Sequence, residues 1–198
     1  MNYILSLGFI MLLSGCTTIV APVTEYRIIT KAPTSTQSSR ACRDKSLKIA
    51  QAFSSSSLMS QNMNYAQGRT KQFAYSQAQW AESPNLGITS ELLKHIRATN
   101  FFKSVQSSKS RSKNDLILEI NIEDFMQYFS EDSTSSHANV SIELTLLDTK
   151  TNVVVATRTF VSKVDSETLD ANGGVEALSL ALQNVLNQTK EWLGGVCK

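Results

Sequence analysis

The chain has 198 residues, 41% of them hydrophobic, and sets 19 basic residues against 17 acidic ones for a formal net charge of +2. This near-neutral balance, with no clustered basic face in the sequence, excludes an ordinary nucleic-acid binder. The length suits one domain with a sizeable core.

In chain order, Tyr3 to Leu13 is an apolar run broken only by Ser6 and Gly8. It has about half the length of a bilayer-spanning helix and matches the core of a secretory signal, which is removed and forms no part of the fold. The run ends Leu13-Ser14-Gly15-Cys16, which resembles the lipobox of bacterial lipoproteins. That resemblance implies a signal peptide over residues 1–15, a diacylglycerol on the Cys16 thiol and a further acyl chain, such as palmitate, on the new amino terminus. This covalent lipid is the only prosthetic group expected. One departure from the pattern is that no Lys or Arg precedes the apolar run. Two or three acyl chains anchor stably where one is marginal, so residues 16–25 read as a lipidated tether and 26–198 as the body it holds. Thr17 stands where an Asp favours inner-membrane retention, which implies the periplasmic face of an outer membrane.

Tyr26 to Thr30 reads as a first strand, followed by a Ser-, Thr- and Pro-rich loop. Cys42 and Cys197 make an even pair in an oxidising compartment and read as a disulfide closing a loop of about 150 residues; the alternative is two unpaired thiols. Leu47, Ile49 and Phe53 share one face at a spacing of two, before a serine run at 54–57. Phe73 and Tyr75 mark another strand. Ser83 is an N-cap, Pro84 suits the first helical position, and Asn100 ends the helix ahead of Phe101 and Phe102. Leu86, Ile88, Leu92, Leu93 and Ile96 form its apolar stripe.

Three segments then alternate. Leu116, Leu118, Ile120 and Ile122 oppose Glu119, Asn121 and Glu123; Val140, Ile142, Leu144 and Leu146 repeat the pattern; the third segment, from Val153 to Val164, follows a five-residue turn. Alternation of this kind gives one buried and one wet face, as in an antiparallel meander. A closing helix carries Val175, Leu178, Leu182, Val185 and Trp192 at helical intervals, with Gly194-Gly195 as its stop. The expected fold is therefore α+β: a two-layer sandwich of an antiparallel sheet with two main helices packed on one face.

No chemistry-bearing constellation emerges. His95 lies in a helix and His137 in a serine-rich loop, and neither has a nucleophile elbow near it. No His/Cys/Asp set has metal-ligand spacing, and Gly173-Gly174 lack the further residues of a phosphate loop. Glu123-Asp124 read as the polar end of a strand and not an acid/base pair. Lys109, Arg111 and Lys113 read as a solvated loop. The expectation is a protein that is not an enzyme.

The order of landmarks from Tyr65 to Val105 resembles that of the ABC-type transport auxiliary lipoproteins, the paraquat-inducible protein C type. Tyr65, Tyr75, Trp80, Pro84, Phe102 and Val105 match its pattern, and the later hairpin and terminal helix extend the likeness over residues 26–193. The resemblance implies an auxiliary component of a phospholipid transport system: an ABC ATPase and permease with a substrate-binding protein of the mammalian-cell-entry (MCE) type, whose distal end the lipoprotein meets at the outer membrane. It also allows a homo-oligomeric ring. Tyr65, Trp80 and Pro84 read either as a partner surface or as the brace that sets the first helix on the sheet. Two other lipoprotein roles stay open at this point: activation of a peptidoglycan synthase, against which the short tether argues, and assembly of a lipopolysaccharide-export machine.

Overall fold

The structure, a computed structural model, describes residues 21–32 and 42–196. In chain order these form β1 (Thr24–Tyr26), β2 (Ser46–Ile49), β3 (Phe53–Ser54), a 3-10 turn (Ser56–Met59), β4 (Asn62–Gln67), β5 (Lys71–Trp80), α1 (Pro84–Thr99), β6 (Ser104–Ser107), β7 (Leu116–Phe129), β8 (Ser136–Asp148), β9 (Val153–Asp165) and α2 (Ala171–Val196).

The three alternating segments are the long strands β7, β8 and β9, and they pair antiparallel in sequence order as expected. The rest of the sheet differs from expectation. The other edge of β7 is shared end to end by β2, β3 and β4, all parallel to it, through Leu47↔Leu116, Phe53↔Asn121 and Tyr65↔Gln127. β6 adds in parallel outside β2; β5 joins β4 as an antiparallel hairpin, and β1 lies parallel outside β5. The nine-stranded sheet formed by the described residues is thus mixed, not antiparallel, and most of its strand pairings are parallel. The physical reason is connectivity. The stretch from β2 to β4 is one extended run, interrupted by the serines at 54–57, and it reaches the side of β7 before α1 and β6 carry the chain back to start β7 in the same direction.

Both helices pack on the inward rows of the sheet, α2 across β8 and β9, α1 against β6 and β7, and they touch each other. Leu118, Ile120, Ile142, Leu144 and Phe160 supply the sheet side of one continuous core, and Ile88, Leu92, Ile96, Leu178, Leu182 and Val185 the helix side. Each such side chain contributes on the order of 1.5–3 kcal/mol by leaving water. Pro84 sits in the first turn of α1, and Asn100 ends it at φ 55°, the left-handed conformation that Asn tolerates. Ser83 makes no side-chain cap to the helix backbone; its hydroxyl donates instead to Asn85 Oδ1 at 2.7 Å.

Several local expectations are corrected. The first strand is Thr24–Tyr26, and residues 27–32 run on as an irregular strap. Phe53 is 70% exposed, because the chain leaves the strand after Ile49 and resumes it with Ala52 and Ser54 pointing inward. Leu86 faces water. Glu123-Asp124 lie within β7 at a bulge between Ile122 and Asp124, not at a strand end. Gly194 and Gly195 sit inside α2, which continues to Val196. The hairpin turn has four residues, 149–152, closed by Asn152 at φ 54°.

Candidate functional site

Cys16, the lipidation position, and Cys197 lie outside the described residues. Cys42 is buried, 6% exposed. Among the family-motif positions, Trp80 is 3% exposed and packs its ring 5.7 Å from that of Phe125, and Pro84 is buried at the start of α1. β5 and α1 meet at this point, so the two residues fasten the helix to the sheet. Tyr65 is half-buried at the centre of an aromatic group: its ring lies 5.5 Å from Phe73, 4.6 Å from Tyr75 and 5.4 Å from Phe129. Phe73 is exposed beside it.

Below that group sits a polar hub that the sequence pattern did not disclose. Gln127 is fully buried: its Oε1 accepts from the Tyr75 hydroxyl at 2.8 Å and its Nε2 donates to Ser136 Oγ at 3.0 Å. Burial pushes the Tyr75 hydroxyl above its ordinary range, so it remains a donor. Gly174 makes room for the amide, since a Cβ there would stand 2.1 Å from Gln127 Oε1. The Gly173-Gly174 pair is therefore a packing device in the first turn of α2. The even-numbered inward phase of β7 ends at the bulge, and only beyond it does Gln127 turn inward.

A second polar set joins the strap to both helices. Glu91 Oε2 accepts from Thr30 N at 3.2 Å and Thr30 Oγ1 at 2.7 Å, while Lys94 Nζ pairs with Glu91 Oε1 at 2.6 Å. Burial opposes ionisation of Glu91, but the bonds from Lys94 and Thr30 outweigh it and hold the carboxyl below its usual range. Lys31 N donates to Gln183 Oε1 on α2 at 2.6 Å, so the strap spans the α1–α2 seam. One turn beyond Glu91, His95 is 2% exposed and neither ring nitrogen has a hydrogen-bond partner. Burial, reinforced by the Lys190 charge and offset only in part by Glu91, lowers its pKa to about 4. The ring is neutral at physiological pH.

The sheet face turned away from the helices carries a polar group where β7 and β8 pair. Asp124 Oδ2 accepts from Tyr128 OH at 2.8 Å and Asn139 Nδ2 at 2.7 Å, Glu123 Oε2 accepts from Ser141 Oγ at 2.6 Å, and His137 stacks on Tyr128 with ring centroids 5.5 Å apart. Burial raises the Asp124 carboxyl despite those bonds. Glu123 and Asp124 are each committed to hydrogen bonds with side chains of β7 and β8. Among the described residues no group of three or more His, Cys, Asp or Glu side chains is placed to hold a metal ion, and no helix is long and apolar enough to cross a membrane.

Comparison with known proteins assigns this body to a family. The profile of the ABC-type transport auxiliary lipoprotein component matches residues 26–189. A search of curated proteins finds no match. Among solved structures the fold is similar to that of protein XCC0632 from Xanthomonas campestris, of family DUF330, with a TM-score of 0.75, 19% identity, and coverage of 87% of this chain and 96% of that one. It is also similar to hypothetical protein CT253 from Chlamydia trachomatis, with a TM-score of 0.53, 8% identity, and coverage of 77% and 97%. The match takes in every strand from β2 to β9, the whole of α1 and most of α2: the chain belongs to the family of ABC-type transport auxiliary lipoprotein components.

Proposed function

We propose that the chain is the noncatalytic, outer-membrane member of an MCE-type ABC phospholipid transport system, where it docks the distal end of the periplasmic conduit. The family match over residues 26–189 carries this reading. Cys16 bears the acyl chains that hold the body at the membrane, and a Cys42–Cys197 disulfide ties the start of the body to its end. The polar networks at Gln127 and Glu91 support a rigid body that serves as a docking surface. Tyr65, with exposed Phe73 beside it, supplies the aromatic part of that surface, since aromatic side chains anchor interfaces. Trp80 and Pro84 brace α1 behind it. A conduit with rotational symmetry is best met by a ring of such copies.

The test is reconstitution. The full lipidated chain, purified in a non-ionic detergent, is mixed with an MCE-domain protein of the same organism and run by size exclusion with mass determination. A stable complex is expected. Separate elution of the two proteins at micromolar concentration, with the chain binding a peptidoglycan synthase or a lipopolysaccharide-export barrel in a parallel mixture, overturns the proposal.

A further inference from the structure

At the end of the sheet where β2, β6, β7 and β9 begin, the chain folds three separate segments around a cleft of about 570 Å³. Lys48 comes from β2, Lys113 from the β6–β7 loop and Lys150 from the β8–β9 turn, with Ser112, Thr149 and Asn114 between them. Three ammonium groups around one hollow repel each other unless an anion joins them. Asp115, the one carboxylate on the cleft lining among the described residues, offsets part of this charge and leaves the three lysines in excess. Asp115 Oδ2 already accepts from Ser46 N at 2.9 Å and Ser46 Oγ at 2.8 Å, and Lys150 approaches its other oxygen only to 3.9 Å. Asp148 Oδ1 is committed to the backbone N–H groups of Lys150 and Thr151 at 2.9 and 3.0 Å. Among the described residues the Lys48 ammonium makes one hydrogen bond, its donation to the Ser112 carbonyl at 3.1 Å. Lys45 and Lys103 stand at the same end, joined by Lys103 N donating to Lys45 O at 2.9 Å. The opposite end of the sheet carries Glu131 and Asp132 in the β7–β8 turn, Asp165 at the end of β9 and Glu167 after it, with Arg69 and Lys71 of the β4–β5 hairpin beside Glu131.

The cleft also holds an unused acceptor. Asn114 Oδ1 is buried without a partner, and its orientation is set by Nδ2, which donates to Ser112 O at 2.8 Å. A ligand that fills this site therefore needs an anionic group for the lysines and a hydrogen-bond donor for Asn114. Among the described residues no aromatic side chain lines the cleft, which disfavours stacked bases. We infer that this cleft binds a phosphate ester whose alcohol part carries a hydroxyl or ammonium donor, either as a soluble ester or as the headgroup of a lipid. Lysines serve such a ligand as point charges. The inference rests on the cleft alone and stands or falls separately from the transport reading.

The full chain in non-ionic detergent is examined by native mass spectrometry with sn-glycerol 3-phosphate, phosphoethanolamine, or phosphatidylglycerol in mixed micelles, and with a poly-glutamate peptide as control. The expected result is one equivalent of at least one phosphate ester, bound at least tenfold more weakly at high salt and by the Lys48→Gln/Lys113→Gln/Lys150→Gln variant. Retention of the soluble esters identifies a soluble ligand; retention of the lipid alone identifies a headgroup site. The variant's circular dichroism melt checks that its fold is intact. Equal binding by variant and parent, absence of binding by all three esters, or preference for poly-glutamate overturns the inference; the last result marks a surface for an acidic protein.

Discussion

Between pH 7 and pH 5, protonation of His95 should weaken the fold. Its folded-state pKa, about 4, lies below the ordinary value of 6.5 because the ring is buried beside Lys190 on α2, with Glu91 on its own helix as partial compensation. A depressed folded pKa means that stability is fully present above about 6.5 and is lost as pH falls toward about 4. At 1.36 kcal/mol per pH unit of difference, the full effect is on the order of 3 kcal/mol, of which about 2 kcal/mol is lost between pH 7 and pH 5. The perturbation is His95→Phe, which fills the seam without titrating and removes two unpaired buried nitrogens. Urea unfolding at pH 7, 6 and 5 is the assay, with the difference between parent and variant isolating this group from His137 and the carboxylates. The parent should lose about 2 kcal/mol more than the variant over that range. Parallel pH profiles, or a His95 ring that titrates near 6.5 by NMR, would refute the reasoning.

Four further outcomes are expected, three of them from the packing. Gly174→Ala should destabilise by about 2–4 kcal/mol in urea unfolding, since its Cβ drives Gln127 off Tyr75 and Ser136. Gly195→Ala meets nothing within 4 Å and should stabilise by up to about 1 kcal/mol; a matching loss at both positions would contradict the packing argument. Trp80→Ala should cost about 3–5 kcal/mol by opening a cavity against Phe125; a variant that keeps its stability but loses its partner would make Trp80 an interface residue instead. Intact-mass analysis should show the mature chain gaining two hydrogens on reduction, and peptide mapping should join Cys42 to Cys197; an unchanged mass would remove that disulfide.

How far the sequence reveals the fold depends on what each pattern encodes. Alternation in β7, β8 and β9 tells which face is buried, and it does so residue by residue from Leu116 to Ile122 and from Val140 to Leu146. It carries no information on the direction of a neighbouring strand. The parallel pairing of β2, β3 and β4 with β7 was therefore illegible, and so was the mixed character of the sheet. α1 was legible because Pro84 and Asn100 act locally, through backbone conformations that a sequence can specify. Phase slips defeated period counting at two places. The break after Ile49 turns Phe53 outward, and the bulge at Asp124 brings Gln127 inward. The Gln127 hub also needs Gly174 from an element 47 positions later in the chain, a long-range fit that no local pattern predicts. The basic cleft was missed for the same reason: Lys48, Lys113 and Lys150 are distant in sequence, and only Lys113 belongs to a visible cluster.

The central claim is that this lipoprotein meets an MCE conduit in the envelope. Crosslinking in intact cells, followed by affinity purification of the chain and mass spectrometry, tests it most directly. The account predicts recovery of the MCE protein together with its ABC components. Recovery of a peptidoglycan synthase or a lipopolysaccharide-export barrel, with no MCE protein, would contradict it.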